Sequence, residues 1–175
     1  MYVNKQDSNN SALIGQKGED LFVETIKKRK HIEVQKANFN EQVNEHWDYK
    51  LLGNDINLTV DVKAMKRTGR WDGEQQDKII WIEFQSVSGK RNGWIYGKSD
   101  CFAFQCHDGF LFVGRKKLAE LCERLVGYKR EDITLENSNS TKGMYKLYTR
   151  KGRKDIITMI KKSDIMSIEH EYLRY

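Results

Sequence analysis

Proline is missing from all 175 residues, so neither a cis-Pro turn nor a stiff Pro-rich linker has to be accommodated. Cysteine is scarce. Cys101, Cys106 and Cys122 are odd in number and form no C-x-x-C pair, which argues against a disulfide framework and a zinc site. Cys101 and Cys106 fall in an apolar, strand-like run and read as core thiols. No apolar run approaches the roughly 18 residues needed to span a bilayer, and nothing resembles a signal peptide. A cytoplasmic protein with no membrane partner is the expectation. Repeats and low-complexity stretches are absent too. The chain reads as one domain over 1–175, with 1–11 flexible, a core over about 12–126 and a C-terminal hairpin extension over about 143–175.

Charge and aromatics are what the chain does have. Charged residues make up 32% and apolar residues 38%, with four Trp, eight Tyr and seven Phe. That mixture fits a folded protein with a wet, working surface better than a disordered one. The formal net charge of +6 and pI near 9.1 favour an anionic partner such as nucleic acid.

Periodicity predicts a helix over 12–29, with apolar positions at Leu13, Leu21, Phe22 and Ile26 and a glycine pair, Gly15 and Gly18, near its start. Small residues there let a helix approach a sheet or a phosphate closely. A short strand is expected over 32–37. Residues 47–65 read as a hairpin through Gly53-Asn54-Asp55, and 66–78 as a polar loop. Ile79–Val87 is a third strand, followed by a glycine-rich basic loop with room for no more than a helical turn. Residues 100–106 and 110–113 form a hairpin across His107-Asp108-Gly109. Arg115–Val126 is a helix stopped by Gly127. A last hairpin, 145–149 with 156–160, and a short helix over 164–168 complete the expectation.

The chemistry-bearing residues cluster early, as Glu19, Asp48, Asp61 and Lys63, an E…D…D-x-K pattern. Side chains at i and i+2 of a strand share a face, so Asp61 and Lys63 point one way while Val60 and Val62 point the other. If the two runs pair as a hairpin, Asp48, 13 residues before Asp61, comes beside it. Glu83 and Gln85 alternate on the third strand and could face the same cleft; a solvent-side position explains them equally well.

A helix with a glutamate followed by strands bearing D…D-x-K resembles the core of the PD-(D/E)xK nuclease superfamily. Gly15-x-x-Gly18-Glu19 is similar to the helix of its Holliday-junction-resolvase-like and phage or restriction endonuclease branches. The resemblance covers about residues 12–105, and Trp47 stands where the family name has proline. It implies an α/β fold: a mixed central β-sheet flanked by helices, with a restriction-endonuclease-like core (α-β-β-β-β) and the C-terminal β-hairpin added. It also implies a metal-dependent DNA endonuclease, of a kind found in phage, using Mg²⁺ with Mn²⁺ able to substitute. Asp48, Asp61, Glu19 and the Val62 carbonyl would hold the metal, and Lys63 would orient or deprotonate the attacking water, with Gln85 placing water or phosphate. Hard oxygen ligands suit Mg²⁺, which keeps several waters and needs only one or two carboxylates plus substrate phosphate.

Two loops interleave cations with aromatics and read as the DNA clamp: Lys66, Arg67, Arg70 and Trp71 after the D-x-K strand, and Lys90, Arg91, Trp94 and Lys98 after the third. For Trp94, anchoring a loop to the core is an equal alternative. An RNA substrate stays open, because a metal site does not sense the 2′-hydroxyl. Two competing readings are a homodimeric Holliday-junction resolvase of the same fold and a catalytically idle nucleic-acid-binding module.

Overall fold

The computed structural model describes residues 5–69 and 74–175, with side chains from Ser11 onward. Helix α1 (Lys5–Lys27) is followed by β1 (Glu33–Lys36), a π-helical turn at Glu41–Glu45, β2 (Tyr49–Leu52) and β3 (Asn57–Lys63). Next come β4 (Ile79–Gln85), a 3-10 turn at Trp94–Tyr96, β5 (Cys101–Cys106), β6 (Gly109–Gly114) and α2 (Arg115–Val126). The chain closes with β7 (Ile156–Lys161), a four-residue helix α3 (Lys162–Ile165) and β8 (His170–Arg174).

The main sheet runs β1-β2-β3-β5-β6-β8, and β4 pairs with β7 in a separate two-stranded ribbon. Every pairing is antiparallel except β3 with β5. The fold is thus mixed α/β, with a mixed central sheet flanked by helices. A parallel step needs a long crossover, usually a helix. Here residues 64–100 make it with β4 and one 3-10 turn.

Strand alternation splits the apolar residues between two cores. On one face Tyr49, Leu51, Val60, Val62, Ala103 and Phe110 pack against Phe22 and Ile26 of α1. Phe22 is wholly buried, edge-on to Phe110 with 5.3 Å between ring centroids; burying such a side chain contributes about 1.5–3 kcal/mol. On the other face Phe102, Phe104, Leu111 and Val113 meet Ile82 and Phe84 of β4, Ile156 and Ile160 of β7, and Leu118, Leu121 and Cys122 of α2.

Four expectations need correcting. Helix α1 begins at Lys5 rather than residue 12, because its Asn, Ser and Gln residues offer no apolar period to read; Leu13, assigned to the packed face, is 59% exposed. Ile79–Gln85 does not extend the main sheet; the edge of β3 that it would need is occupied by β5. The C-terminal hairpin is not a ladder. Residues 145–149 meet β7 at separate points, the isolated Tyr148–Ile157 bridge and the Tyr145 N–H donating to the Met159 carbonyl at 2.9 Å, and the ladder partner of β7 is β4. The final helix is Lys162–Ile165, and β8, an edge strand on β6 that periodicity did not show, follows it.

Candidate functional site

Strand register brings the two aspartates together. Tyr49 faces Val60 in the β2–β3 ladder, so Asp48, one residue earlier, stands across from Asp61 on the same face. The Asp48 carboxylate accepts the Val62 N–H at 2.8 Å, while the Asp48 N–H donates to the Val60 carbonyl at 2.8 Å. Across the parallel step Asp61 is level with Phe102 and Lys63 with Phe104. The D-x-K side chains therefore project into the larger core rather than into open solvent.

Asp61 is 3% exposed. Its Oδ1 lies 2.6 Å from the Lys63 ammonium, and its Oδ2 is buried with no hydrogen-bond partner. Burial pushes its carboxyl up to about 7; Lys63 pulls down against this, and the neighbouring Asp48 pushes up. The Lys63 ammonium sits over the Trp94 ring, 4.8 Å from its centroid, a cation–π contact. Trp94 is edge-on to Phe102, with centroids 4.8 Å apart. Of the two sequence readings for Trp94, the loop anchor is the one this packing matches; the indole is half-buried under the lysine.

Glu19 arrives from the opposite face. At Gly18 a Cβ would come within 2.8 Å of the Ala64 Cβ, so only glycine lets α1 lie this close to the end of β3, whereas Gly15 has open space around it. Glu19 accepts the Tyr49 hydroxyl at 3.2 Å and lies 4.0 Å from Lys36. Its carboxyl is raised by burial and then by Asp48. Glu19 is thus electrostatically coupled to the aspartate pair, but no group of three or more His, Cys, Asp or Glu gathers to hold a metal among the described residues.

Gln85 sits differently from the sequence reading. A bulge separates Glu83 from Gln85, which face Ile157 and Ile156 in turn, and a bulge re-aims the side chain that follows it. The Gln85 amide donates to the Lys154 carbonyl at 2.6 Å. Glu83 instead stays in the field of Lys63 and Lys66, its carboxyl raised by burial against their pull. His46 is a second neighbour; the sequence offers it, as the residue flanking Asp48, either as a group near the metal or, more commonly, as a plain loop histidine. It occupies left-handed backbone at φ 58, and its imidazole is shifted down by burial and by Lys63 and Arg91. A third is Gln105, whose Oε1 accepts the Met65 N–H at 3.2 Å beside Gly18. None of the three lies in a motif; the signal for Gln105 is alternation along β5, and for His46 only adjacency to Asp48.

The expected clamp residues are placed in part. Lys66 and Arg67 continue from β3 and are exposed, as are Lys90, Arg91 and Lys98. Arg91 reaches the Val43 carbonyl at 3.5 Å, and Lys98 the Glu45 carboxylate at 3.2 Å. Arg70 and Trp71 lie outside the described residues. No helix among the described residues is long and apolar enough to cross a membrane. Comparison with protein-family models, with curated proteins and with solved structures finds no match.

Proposed function

We propose that the chain is a metal-dependent nuclease of the PD-(D/E)xK type that hydrolyses phosphodiester bonds in DNA, with Asp48, Asp61 and Lys63 at its centre. The supporting observation is the aspartate pair itself: two carboxylates face each other across a hairpin, and one oxygen of Asp61 is buried without a partner. A buried carboxylate oxygen that meets no donor is unfavourable unless a proton or a cation reaches it, and above about pH 7, where Asp61 ionises, the proton is gone. A divalent cation such as Mg²⁺ does so, and needs no third carboxylate when waters and phosphate complete its shell.

Asp48, Asp61 and the Val62 carbonyl would hold that cation, and Glu19, coupled to Asp48, would add negative charge beside it. Bound there, the metal supplies charge neutralisation at the phosphate and acidifies a water. The chain's own groups do the rest. Lys63, fixed between Asp61 and Trp94, holds a positive charge where the pentavalent phosphate develops negative charge. Tyr49 and Lys36 fix the Glu19 carboxylate, and the Val62 N–H orients Asp48. The exposed cations Lys66, Arg67, Lys90, Arg91 and Lys98 would contact phosphates along the backbone.

One observation favours a second reading, a nucleic-acid-binding module without catalysis: no trio of ligating side chains is gathered among the described residues. Cleavage of supercoiled plasmid and of a synthetic four-way junction, with Mg²⁺ and with EDTA, decides between them. The expected result is metal-dependent cutting that Asp61→Ala and Lys63→Ala each abolish while DNA binding persists. Preference for the junction, with a dimer in solution, would select the resolvase form. Tight binding without cutting in Mg²⁺ or Mn²⁺ would establish the binding module, and undiminished cutting by Asp61→Ala would place the site elsewhere.

A further inference from the structure

We infer that Phe39 is a base-stacking side chain that engages an unpaired or unstacked base beside the Asp48–Asp61 site; this inference rests on the nuclease reading above. Phe39 is 81% exposed, more than any other exposed large hydrophobic among the described residues. A lone exposed apolar residue is ordinary, but two further features set this one apart.

The first is that its turn is locked. The Asn38 N–H donates to the Glu41 carboxylate at 2.7 Å while the Glu41 N–H donates to Asn38 Oδ1 at 3.1 Å, the reciprocal pattern of a capping box. The Gln42 N–H adds a bond to the Asn38 carbonyl at 3.0 Å. The backbone carrying Phe39 is thus fixed on both sides, and the ring is held out in water instead of folding back onto the protein.

The second is position. The Ala37 N–H donates to the Asp48 carbonyl at 2.8 Å, so this loop starts hydrogen-bonded to an aspartate of the site and ends at it through His46 and Trp47. Lys36 precedes the loop beside Glu19, and Arg91 and Lys98 are bonded to its far half. A backbone drawn to those cations presents its bases to the neighbouring ring. Aromatic rings stack on any base, and apolar wedges hold open unstacked steps. The ligand class is therefore nucleic acid with a base free to leave its stack, at a branch, a nick or a single strand.

The test uses the full chain as wild type, Phe39→Ala, Phe39→Leu and Phe39→Trp. A four-way junction and a single strand, each carrying 2-aminopurine, are titrated in EDTA, and cleavage in Mg²⁺ is measured beside Asp61→Ala. Stacking predicts about tenfold weaker binding and loss of the 2-aminopurine response for Ala and Leu, retention of both for Trp, and an unchanged salt slope, since no phosphate contact is lost. Asp61-dependent cleavage by wild type together with unchanged binding and fluorescence in Phe39→Ala would overturn the inference and leave the nuclease reading standing. Self-association that Phe39→Ala abolishes, without any base response, would overturn it in favour of a protein contact. Wild type that neither binds nor cuts any nucleic acid would overturn both.

Discussion

Asp61→Asn should make the metal-free protein's stability much less sensitive to pH between acid and neutral conditions. Burial raises the Asp61 carboxyl from 3.8 to about 7 in the folded chain, while the unfolded chain keeps an ordinary aspartate. A raised carboxyl stabilises the fold fully below its unfolded pKa. As pH rises toward 7 the unfolded chain releases the proton first, and that stability is lost. Each unit corresponds to about 1.4 kcal/mol, so a shift of about three units amounts to at most about 4 kcal/mol. From about pH 5 to about pH 8 this single group should remove roughly 3 kcal/mol. Asparagine has no proton to release. Lys63 pairs with the Asp61 carboxylate only once it ionises, and that attraction is already contained in the value of about 7, so comparing each protein with itself across pH reads the net effect of this group. Urea unfolding in EDTA at the two pH values, for wild type and variant, reads the difference directly. Mg²⁺ added near pH 8 should restore stability to wild type and not to the variant, because a cation binding only the folded state stabilises it by mass action. Equal pH losses in the two proteins would show that Asp61 is not a buried carboxyl with a raised titration point, and would remove the main support for a cation beside it.

Further outcomes follow from packing. Gly18→Ala forces α1 away from Ala64, where the new Cβ would sit 2.8 Å from that residue's Cβ. It should cost about 1–3 kcal/mol, whereas Gly15→Ala, with nothing within 4 Å, should gain about 0.5–1 kcal/mol in the helix; thermal unfolding of the pair checks both. Trp94→Phe should keep the stack on Phe102 and most cleavage, while Trp94→Ala should lower the melting temperature and reduce cleavage beyond the stability loss, because Lys63 loses the ring beneath it. Parallel melting and single-turnover cleavage assays separate the two effects.

What could be read from the sequence was whatever is decided within a few residues. The β2–β3 hairpin closes through Gly53, whose N–H donates to the Ile56 carbonyl at 2.8 Å, and this turn sets the register that pairs Asp48 with Asp61. Helix α2 ends where Gly127 takes a left-handed φ of 76, as expected for a glycine just past the last apolar position. Partner choice was not legible. An apolar run such as Ile79–Gln85 has the same composition whether it joins the main sheet or a second layer, and its partner β7 lies more than 70 residues away. The same holds for Gln85. Alternation places it beside Glu83, and only the bulge, which depends on β7, turns its amide to Lys154. Trp94 could be read equally as clamp or anchor, because the choice rests on Phe102, which reaches it only through the parallel step.

These losses and successes share one cause, which also explains why the charges are where they are. Asp61 and Lys63 lie on the β3 face turned away from α1, level with Phe102 and Phe104, which the β4–β7 ribbon covers. The hairpin that positions Asp48 against Asp61 is local, so the sequence carries it openly. The roof that desolvates the pair is non-local, built from β4, β7 and the turn bearing Trp94. Without it Asp61 would be an exposed carboxylate in a surface ion pair with Lys63, worth little. With it, the same two residues become a buried charge cluster with one unsatisfied oxygen. The motif therefore supplies the charged groups, and the second layer, absent from any short pattern, supplies the buried electrostatic environment around them.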